Sequence, residues 1–337
     1  MFRKAINTSL LILLVLAVVF STVSCEKLKL SNLKANHHFT IANSHFTDGK
    51  YRLAIEEYEM ALSFNPDLME AYRFLGESYK NLYKPGLENE KNKEIERNAL
   101  EALNQAYEID PTNKGIIHSL GDMYDKMRNF EEAEKLYLKI LEMEPTNMSN
   151  YYVVAEFYKR YAGSVEEGEE GDDGVKTPFQ KAEEMYLRRI ETDPSNPQGY
   201  AYIAQFYENI SPEPEFDKGV FYHKKRIELD PEDKEAWLAV GVNRWSKAYR
   251  IQAKLTKQQR INLANEAEAA LKKANELDDR YPEPYSWLSV LYKSVFAKLY
   301  PERAKRYEDD ADIYAQRFQT LKKSEAQKKK LEKELVK

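Results

Sequence analysis

The sequence AIEEYEMALSFNPDLMEAYRFLGESY, residues 54–79, contains a pattern that returns further along the chain. It returns as ALEALNQAYEIDPTNKGIIHSLGDMY (99–124) and as AEKLYLKILEMEPTNMSNYYVVAEFY (133–158). Another copy, AEEMYLRRIETDPSNPQGYAYIAQFY, occupies residues 182–207. In each copy a proline separates two helical segments, and it ends one helix and suits the first turn of the next. The sequence therefore predicts a series of helix pairs.

Small and aromatic residues recur at fixed positions in these pairs. The small residue of the first helix is Ala42, Gly76, Gly121, Ala155, Ala204, Gly241 or Ser289, and an aromatic follows it as Tyr79, Tyr124, Tyr158, Tyr207 or Tyr292. Small residues let two antiparallel helices approach closely, while the aromatic rings fill the space between successive pairs. From residue 35 to residue 322 this pattern resembles the tetratricopeptide repeat family, whose helix–turn–helix unit has about 34 residues. The resemblance implies an all-α fold, a right-handed α-solenoid of about seven repeats with a C-terminal capping helix.

The register of the repeats predicts the organisation of the chain. The first helices should begin near residues 35, 69, 114, 148, 197, 234 and 282, so that long and short units alternate. The additional residues fall between the two helices of repeats 2, 4 and 6, and they should all project from one edge of the solenoid. We predict a signal peptide at 1–24, a lipidated N-terminus with a short tether at 25–34, the solenoid at 35–300, and a capping helix with a charged tail at 301–337.

The beginning of the chain predicts export. Arg3 and Lys4 precede eleven apolar residues, Leu10–Phe20, and small residues then lead to Cys25, the only cysteine. This order is typical of a signal peptide, and eleven apolar residues are short for a membrane span, although an uncleaved anchor stays open. The residues before Cys25 resemble the lipobox of bacterial lipoproteins, which implies that Cys25 carries acyl chains such as palmitate and holds the protein on a membrane.

Composition excludes some classes of function. The chain has 51 basic and 56 acidic residues, a net charge of −5, which argues against nucleic-acid binding because that requires a basic face. The five histidines, His37, His38, His45, His118 and His223, follow no metal-binding or catalytic motif. The acidic loop 166–173 lacks the ligand spacing of a calcium loop, and whether it binds a cation stays open. We therefore predict a protein that is not an enzyme, with no cofactor and no metal.

The resemblance also implies where a partner binds. In tetratricopeptide solenoids the first helices line a concave groove that holds a peptide segment or a helix. Carried onto this chain, the groove positions are Arg73, Glu77, Lys80, His118, Asp122, Tyr152, Glu156, Lys159, Leu238, Val242 and Trp245. The last three are apolar where the others are polar. Either the insertion that follows Trp245 folds over them, or they are a contact point for a partner.

These features together predict a lipid-anchored, non-enzymatic scaffold of the bacterial cell envelope. It would bind protein partners on the periplasmic face of a membrane or at the cell surface, with the outer membrane favoured, and help to assemble a membrane-associated complex. One sub-case resembles the small lipoproteins that assist the assembly of pili and secretion systems. The alternative is a structural subunit that self-assembles edge to edge through the insertions in repeats 2, 4 and 6. The sequence does not identify the partner.

Overall fold

The computed structural model describes residues 30–162, 176–210 and 213–335, and the regular structure in these ranges is entirely helical. The predicted all-α repeat fold is therefore confirmed. Cys25 with its leader and the acidic loop 166–173 lie outside the described residues. None of the helices in these ranges has the length and apolar character that crossing a membrane requires.

The helices follow the predicted pairing. They are α1 (30–47), α2 (Tyr51–Phe64), α3 (Met69–Leu82), α4 (Glu90–Ile109), α5 (Lys114–Lys126), α6 (Phe130–Met143), α7 (Met148–Ala162), α8 (Pro178–Thr192), α9 (Pro197–Glu208), α10 (Phe216–Leu229), α11 (Lys234–Arg250), α12 (Lys257–Leu277), α13 (Pro282–Leu291), α14 (Ala297–Leu299) and α15 (Ala304–Leu335). The first helices α3, α5, α7, α9, α11 and α13 begin at the predicted residues. Helix α1 already includes residue 30, which lies within the predicted tether. Ser31 donates a hydrogen bond to the carbonyl oxygen of Phe64, which holds this part of α1 against the end of α2.

Local capping explains why the helices end where they do. The backbone N–H of Asn65 donates to the carbonyl oxygen of Ala61 at 3.0 Å, and Pro66 then prevents α2 from continuing. Asn113 begins α5 by accepting a hydrogen bond from the backbone N–H of Ile116, and Asp233 begins α11 in the same way. These caps depend on a few neighbouring residues, so the sequence predicts them well.

The chain divides into two compact units, Met1–Phe157 and Tyr158–Lys337. In the first unit, close approach of paired helices depends on the small residue of the first helix. A Cβ atom on Gly76 would lie 2.5 Å from Cγ of Leu103, and one on Gly121 would lie 3.1 Å from Cε1 of Tyr137. Glycine at these positions therefore lets a large side chain of the second helix pack directly against the backbone of the first.

The second unit repeats this arrangement and ends with a long helix. A Cβ atom on Gly241 in α11 would lie 2.6 Å from Cγ of Leu271 in α12. Helix α15 packs against α13 and buries Ala311 completely, with Tyr307 and Tyr314 packed at the edge of the same core. From residue 323 to residue 334 the side chains of α15 are exposed.

The first and third insertions lengthen second helices. Helix α4 has 20 residues and α12 has 21, whereas α2 and α6 have 14 each. The first insertion also contains the turn 83–89 before α4. The third also lengthens the first helix α11, which has 17 residues, and forms the 3₁₀ turn Gln252–Lys254 before α12.

Candidate partner-binding surface

Four residues of the first helices α3 and α5 form one hydrogen-bonded group, which we call the charged cluster: Glu77, Lys80, Ser119 and Asp122. The Nζ atom of Lys80 lies 2.9 Å from Oε2 of Glu77 and 2.6 Å from Oδ2 of Asp122. Ser119 donates its hydroxyl hydrogen to the carboxylate of Glu77. Three predicted groove residues therefore meet, and Ser119 joins them without having been singled out from the sequence.

Lys80 is occupied by this cluster and is only 7% exposed. Burial alone would lower the pKa of Lys80, but the carboxylates of Glu77 and Asp122 outweigh it and raise the pKa above its ordinary value. Lys80 therefore stays charged, and its charge is neutralised within the protein. Asp122, whose side chain is 43% exposed, is the member that a partner could reach.

The other polar groove residues are also engaged. Arg73 pairs with Glu70 on its own helix at 2.7 Å and lies 4.0 Å above the ring of Phe74. His118 is half-buried against Tyr137; burial lowers its pKa, and Asp122 offsets only part of that effect. Ring burial of this kind favours the neutral imidazole.

On α7, the three predicted groove residues differ in exposure. Tyr152 and Glu156 are half-buried and Lys159 is exposed, and each of them has an interaction partner. Their contribution to a binding surface stays a prediction.

The apolar groove residues belong to a larger surface in the second unit, which we call the aromatic patch: Leu238, Val242, Trp245 and Tyr249 of α11 with Trp287 and Val290 of α13. The Trp245 ring lies 4.9 Å from the Trp287 ring and stacks on Tyr249 at 5.3 Å. Trp245 is half-buried, whereas Tyr249 is 37% and Val290 is 36% exposed. The patch therefore combines anchored indole rings with accessible apolar side chains.

A π-helical turn, Tyr292–Phe296, fixes one edge of the patch. Ser294 in this turn accepts a hydrogen bond from Nε1 of Trp245 at 2.9 Å, and its own hydroxyl donates to the carbonyl oxygen of Val290 at 2.6 Å. The polar atom of the indole is thus satisfied by a hydrogen bond within the protein. Tyr249, which belongs to the insertion after Trp245, stacks on the Trp245 ring. That the patch contacts a partner stays a prediction.

No metal site occurs in the ranges that the structure describes: His, Cys, Asp and Glu form no group of three that could hold an ion. Two of the histidines pair with single carboxylates instead. Nδ1 of His38 lies 2.7 Å from Glu57, and Nε2 of His223 lies 3.0 Å from Glu208. The acidic loop 166–173 lies outside the described residues, so the question of a cation there stays open.

The comparisons with known proteins agree with the repeat geometry. Residues 97–155 match the family model of the tetratricopeptide repeat. The match covers 59 of the 337 residues. A sequence search of curated proteins finds no match.

Among solved structures, the chain is similar to the C-terminal part of a tetratricopeptide repeat-containing protein from Cytophaga hutchinsonii. The TM-score is 0.53 with 14% identity, over 82% of this chain and 93% of that chain, and this likeness shows the fold alone. MamA is matched at a TM-score of 0.42 and 20% identity, over 60% of this chain and 94% of that chain. YrrB, described as a tetratricopeptide protein with an unusual peptide-binding site, is matched at 0.36 and 17% identity, over 59% and 88%. The last two scores are too low to support an argument about this chain.

Sequence reasoning missed half of the aromatic patch. The groove positions predicted from the sequence end in the sixth repeat, and the same spacing in the seventh selects Val290. Trp287 and Tyr249 occupy other positions, and only the packing of α11 against α13 brings them to Trp245. Ser119 gave no signal, because its partner Glu77 lies in the preceding repeat.

Proposed function

We propose that this protein is a lipid-anchored, non-enzymatic scaffold of the bacterial cell envelope that holds a protein partner through its first helices. The aromatic patch is the main support for this proposal. Exposed Tyr249 and Val290 beside half-buried Trp245 and Trp287 form an apolar surface of the kind that dominates binding energy at interfaces. A partner segment with apolar side chains, extended or helical, suits it.

Substitution of Val290 tests the partner contact. Val290→Glu places a carboxylate in the patch at an exposed position, so the fold should be retained while partner affinity falls by about tenfold or more. The measurement is the yield of the co-purified partner after crosslinking in intact cells. Phe221→Glu on the second helix α10, where Phe221 is 53% exposed, is the matched control and should leave the yield unchanged. Equal yields from both variants would argue against the patch.

Lipid anchoring is a separate part of the proposal and depends on Cys25. We expect Cys25→Ser to give a protein that lacks acyl chains and fractionates differently from the wild type, because acyl burial in a bilayer supplies the anchor. Intact-protein mass spectrometry and membrane fractionation measure this. An unchanged mass together with unchanged membrane retention would mean that Leu10–Phe20 is the anchor instead.

Self-assembly through the insertions is the second candidate. The long second helices α4 and α12 favour it, because they place two of the three insertions at corresponding positions of repeats 2 and 6. Sedimentation of the full-length protein in detergent distinguishes the two proposals. A monomer at all concentrations excludes self-assembly, whereas a mass that grows with concentration supports it.

A further inference from the structure

A cavity of about 740 Å³ lies in the first unit, next to the turn between α3 and α4. Its walls are α2, the end of α3, the turn 83–89 and the start of α4. The first insertion creates it, because the turn 83–89 is part of the residues that lengthen repeat 2. No predicted groove residue lines it.

The wall made by the insertion is held in place by one buried side chain, Asn92. Its Oδ1 atom accepts a hydrogen bond from the backbone N–H of Lys84, and its Nδ2 atom donates to the carbonyl oxygens of Lys84 and Leu87, each at 2.9 Å. Asn89 caps α4, and Gly86 supplies the left-handed conformation, with φ of 77°, that the turn requires. Because the turn is fixed in this way, the cavity is preorganised.

The floor and mouth of the cavity are apolar. Ile55, Leu82 and Ile95 are half-buried or buried along it, and Tyr79 is also part of the lining. Leu87 stands at the mouth and is 44% exposed. A large exposed leucine beside an open apolar cavity is a site at which a partner side chain gains burial.

Three cations, Arg52, Lys84 and Lys91, surround this apolar surface. In the part of the chain that the structure describes, none of them forms an ion pair, although Lys93 nearby pairs with Glu88 at 3.5 Å. Glu56 is the single acidic residue of the lining. Among the lining residues three positive charges stand against one negative charge, whereas the chain as a whole carries a net charge of −5. This lining therefore favours an anionic occupant.

We propose that this cavity binds an acidic, apolar-anchored peptide segment of a protein partner. Its apolar side chains would pack against Ile55, Leu82 and Ile95, and its carboxylates would face Arg52, Lys84 and Lys91. The proposal rests on the scaffold function, because the occupant belongs to a protein partner. It adds a second binding site, on α2, α3 and α4, that is separate from the aromatic patch on α11 and α13.

Selection from a phage-displayed library of random peptides of about twelve residues tests this chemistry, because it does not require the partner to be identified first. With the purified full-length protein, the selected sequences should be enriched in Asp and Glu together with Leu, Ile or Phe. The triple variant Arg52→Glu, Lys84→Glu, Lys91→Glu should lose that enrichment and weaken the best selected peptide by about tenfold or more in fluorescence anisotropy. The control, Lys328→Glu, Lys329→Glu, Lys330→Glu, changes the net charge equally on exposed residues of α15 and should bind within about twofold of the wild type.

Selected sequences without an acidic excess, or the same sequences recovered with the cavity variant, would overturn the proposal. Binding of phosphatidylglycerol vesicles is measured with the same variants. If the triple cavity variant no longer binds these vesicles but binds the selected peptide as the wild type does, the site recognises anionic lipid and the peptide proposal fails. The Val290→Glu variant tests the scaffold function independently of the cavity. If this variant loses the cellular partner but the wild-type protein selects no acidic peptide, the scaffold function is supported and the cavity proposal fails.

Discussion

Lys80 is a lysine in a place where lysines are rare, because it is almost completely buried between two first helices. Its positive charge is neutralised by Glu77 on the same helix and by Asp122 in the next repeat. The sequence predicts an accessible groove charge at this position. The structure instead makes it a link between α3 and α5, which leaves Asp122 as the accessible group of the charged cluster.

Replacement of Lys80 by Met should therefore destabilise the protein. Lys80→Met keeps the apolar stem but leaves two carboxylates without their cation, and we expect a loss of about 1–3 kcal/mol in the free energy of unfolding. Because the folded-state pKa of Lys80 lies above its ordinary 10.5, the stabilisation is fully present below that pH and is lost as the pH rises through the folded value. Denaturant unfolding at neutral pH measures the loss.

Lys135 provides the matched control for Lys80. It pairs with Glu131 and Glu132 on an exposed face of α6, where solvent screens the ion pairs, so Lys135→Met should leave the free energy of unfolding nearly unchanged. Adding Glu77→Gln and Asp122→Asn to Lys80→Met should restore part of the loss. A Lys80→Met protein as stable as the wild type would contradict the role assigned to this residue.

At the scale of the element, each helix pair depends on a small residue that meets a large one. Gly76 receives Leu103 and Gly241 receives Leu271, which are corresponding residues of repeats 2 and 6. The same contact recurs because the same repeat position is small. Packing of this kind, more than helix propensity, determines how closely the two helices approach.

Gly76→Ala tests this contact. The new Cβ would lie 2.5 Å from Cγ of Leu103, so we expect a loss of about 1–3 kcal/mol in the free energy of unfolding although alanine favours helices. In Gly76→Ala, Leu103→Ala the clash is relieved, and the loss should be smaller than the sum of the two single losses by roughly 1 kcal/mol. In Gly115→Ala the new Cβ would lie 3.2 Å from Oδ1 of Asn113 and 3.7 Å from the Arg73 side chain, without a clash as close as that at Gly76, so this variant should lose less stability than Gly76→Ala. Additive losses would mean that the two helices adjust their spacing freely.

The helix boundaries could be predicted from the sequence where they depend on residues close together in the chain. The Pro and Asn or Asp residues at the turns gave the starts of α3, α5 and α11 at the correct residue. Contacts between repeats were not predictable, because the pairing of Lys80 with Asp122 and of Trp245 with Trp287 depends on how adjacent first helices align. The cavity was missed because Asn92, a polar residue in an insertion, holds its wall from inside the protein.

At the scale of the whole molecule, the two compact units carry different surfaces. The first unit contains the charged cluster and the cation-lined cavity, and the second contains the aromatic patch. A chain of stacked repeats offers many such faces because each repeat contacts only its neighbours. Anchored at Cys25, as we propose, these faces would hold partners beside a membrane without any catalytic step.

The most direct measurement places a photo-crosslinking amino acid at Val290 in the aromatic patch, and in a second strain at Phe221 on α10, in intact cells. We expect Val290 to crosslink to one partner protein at near-stoichiometric yield, whereas Phe221, although more exposed than Val290, should not crosslink to it. Crosslinks from Val290 only to other copies of this chain would contradict the scaffold account and support self-assembly. Equal crosslinking of one partner from both positions would contradict the assignment of the first helices as the binding surface.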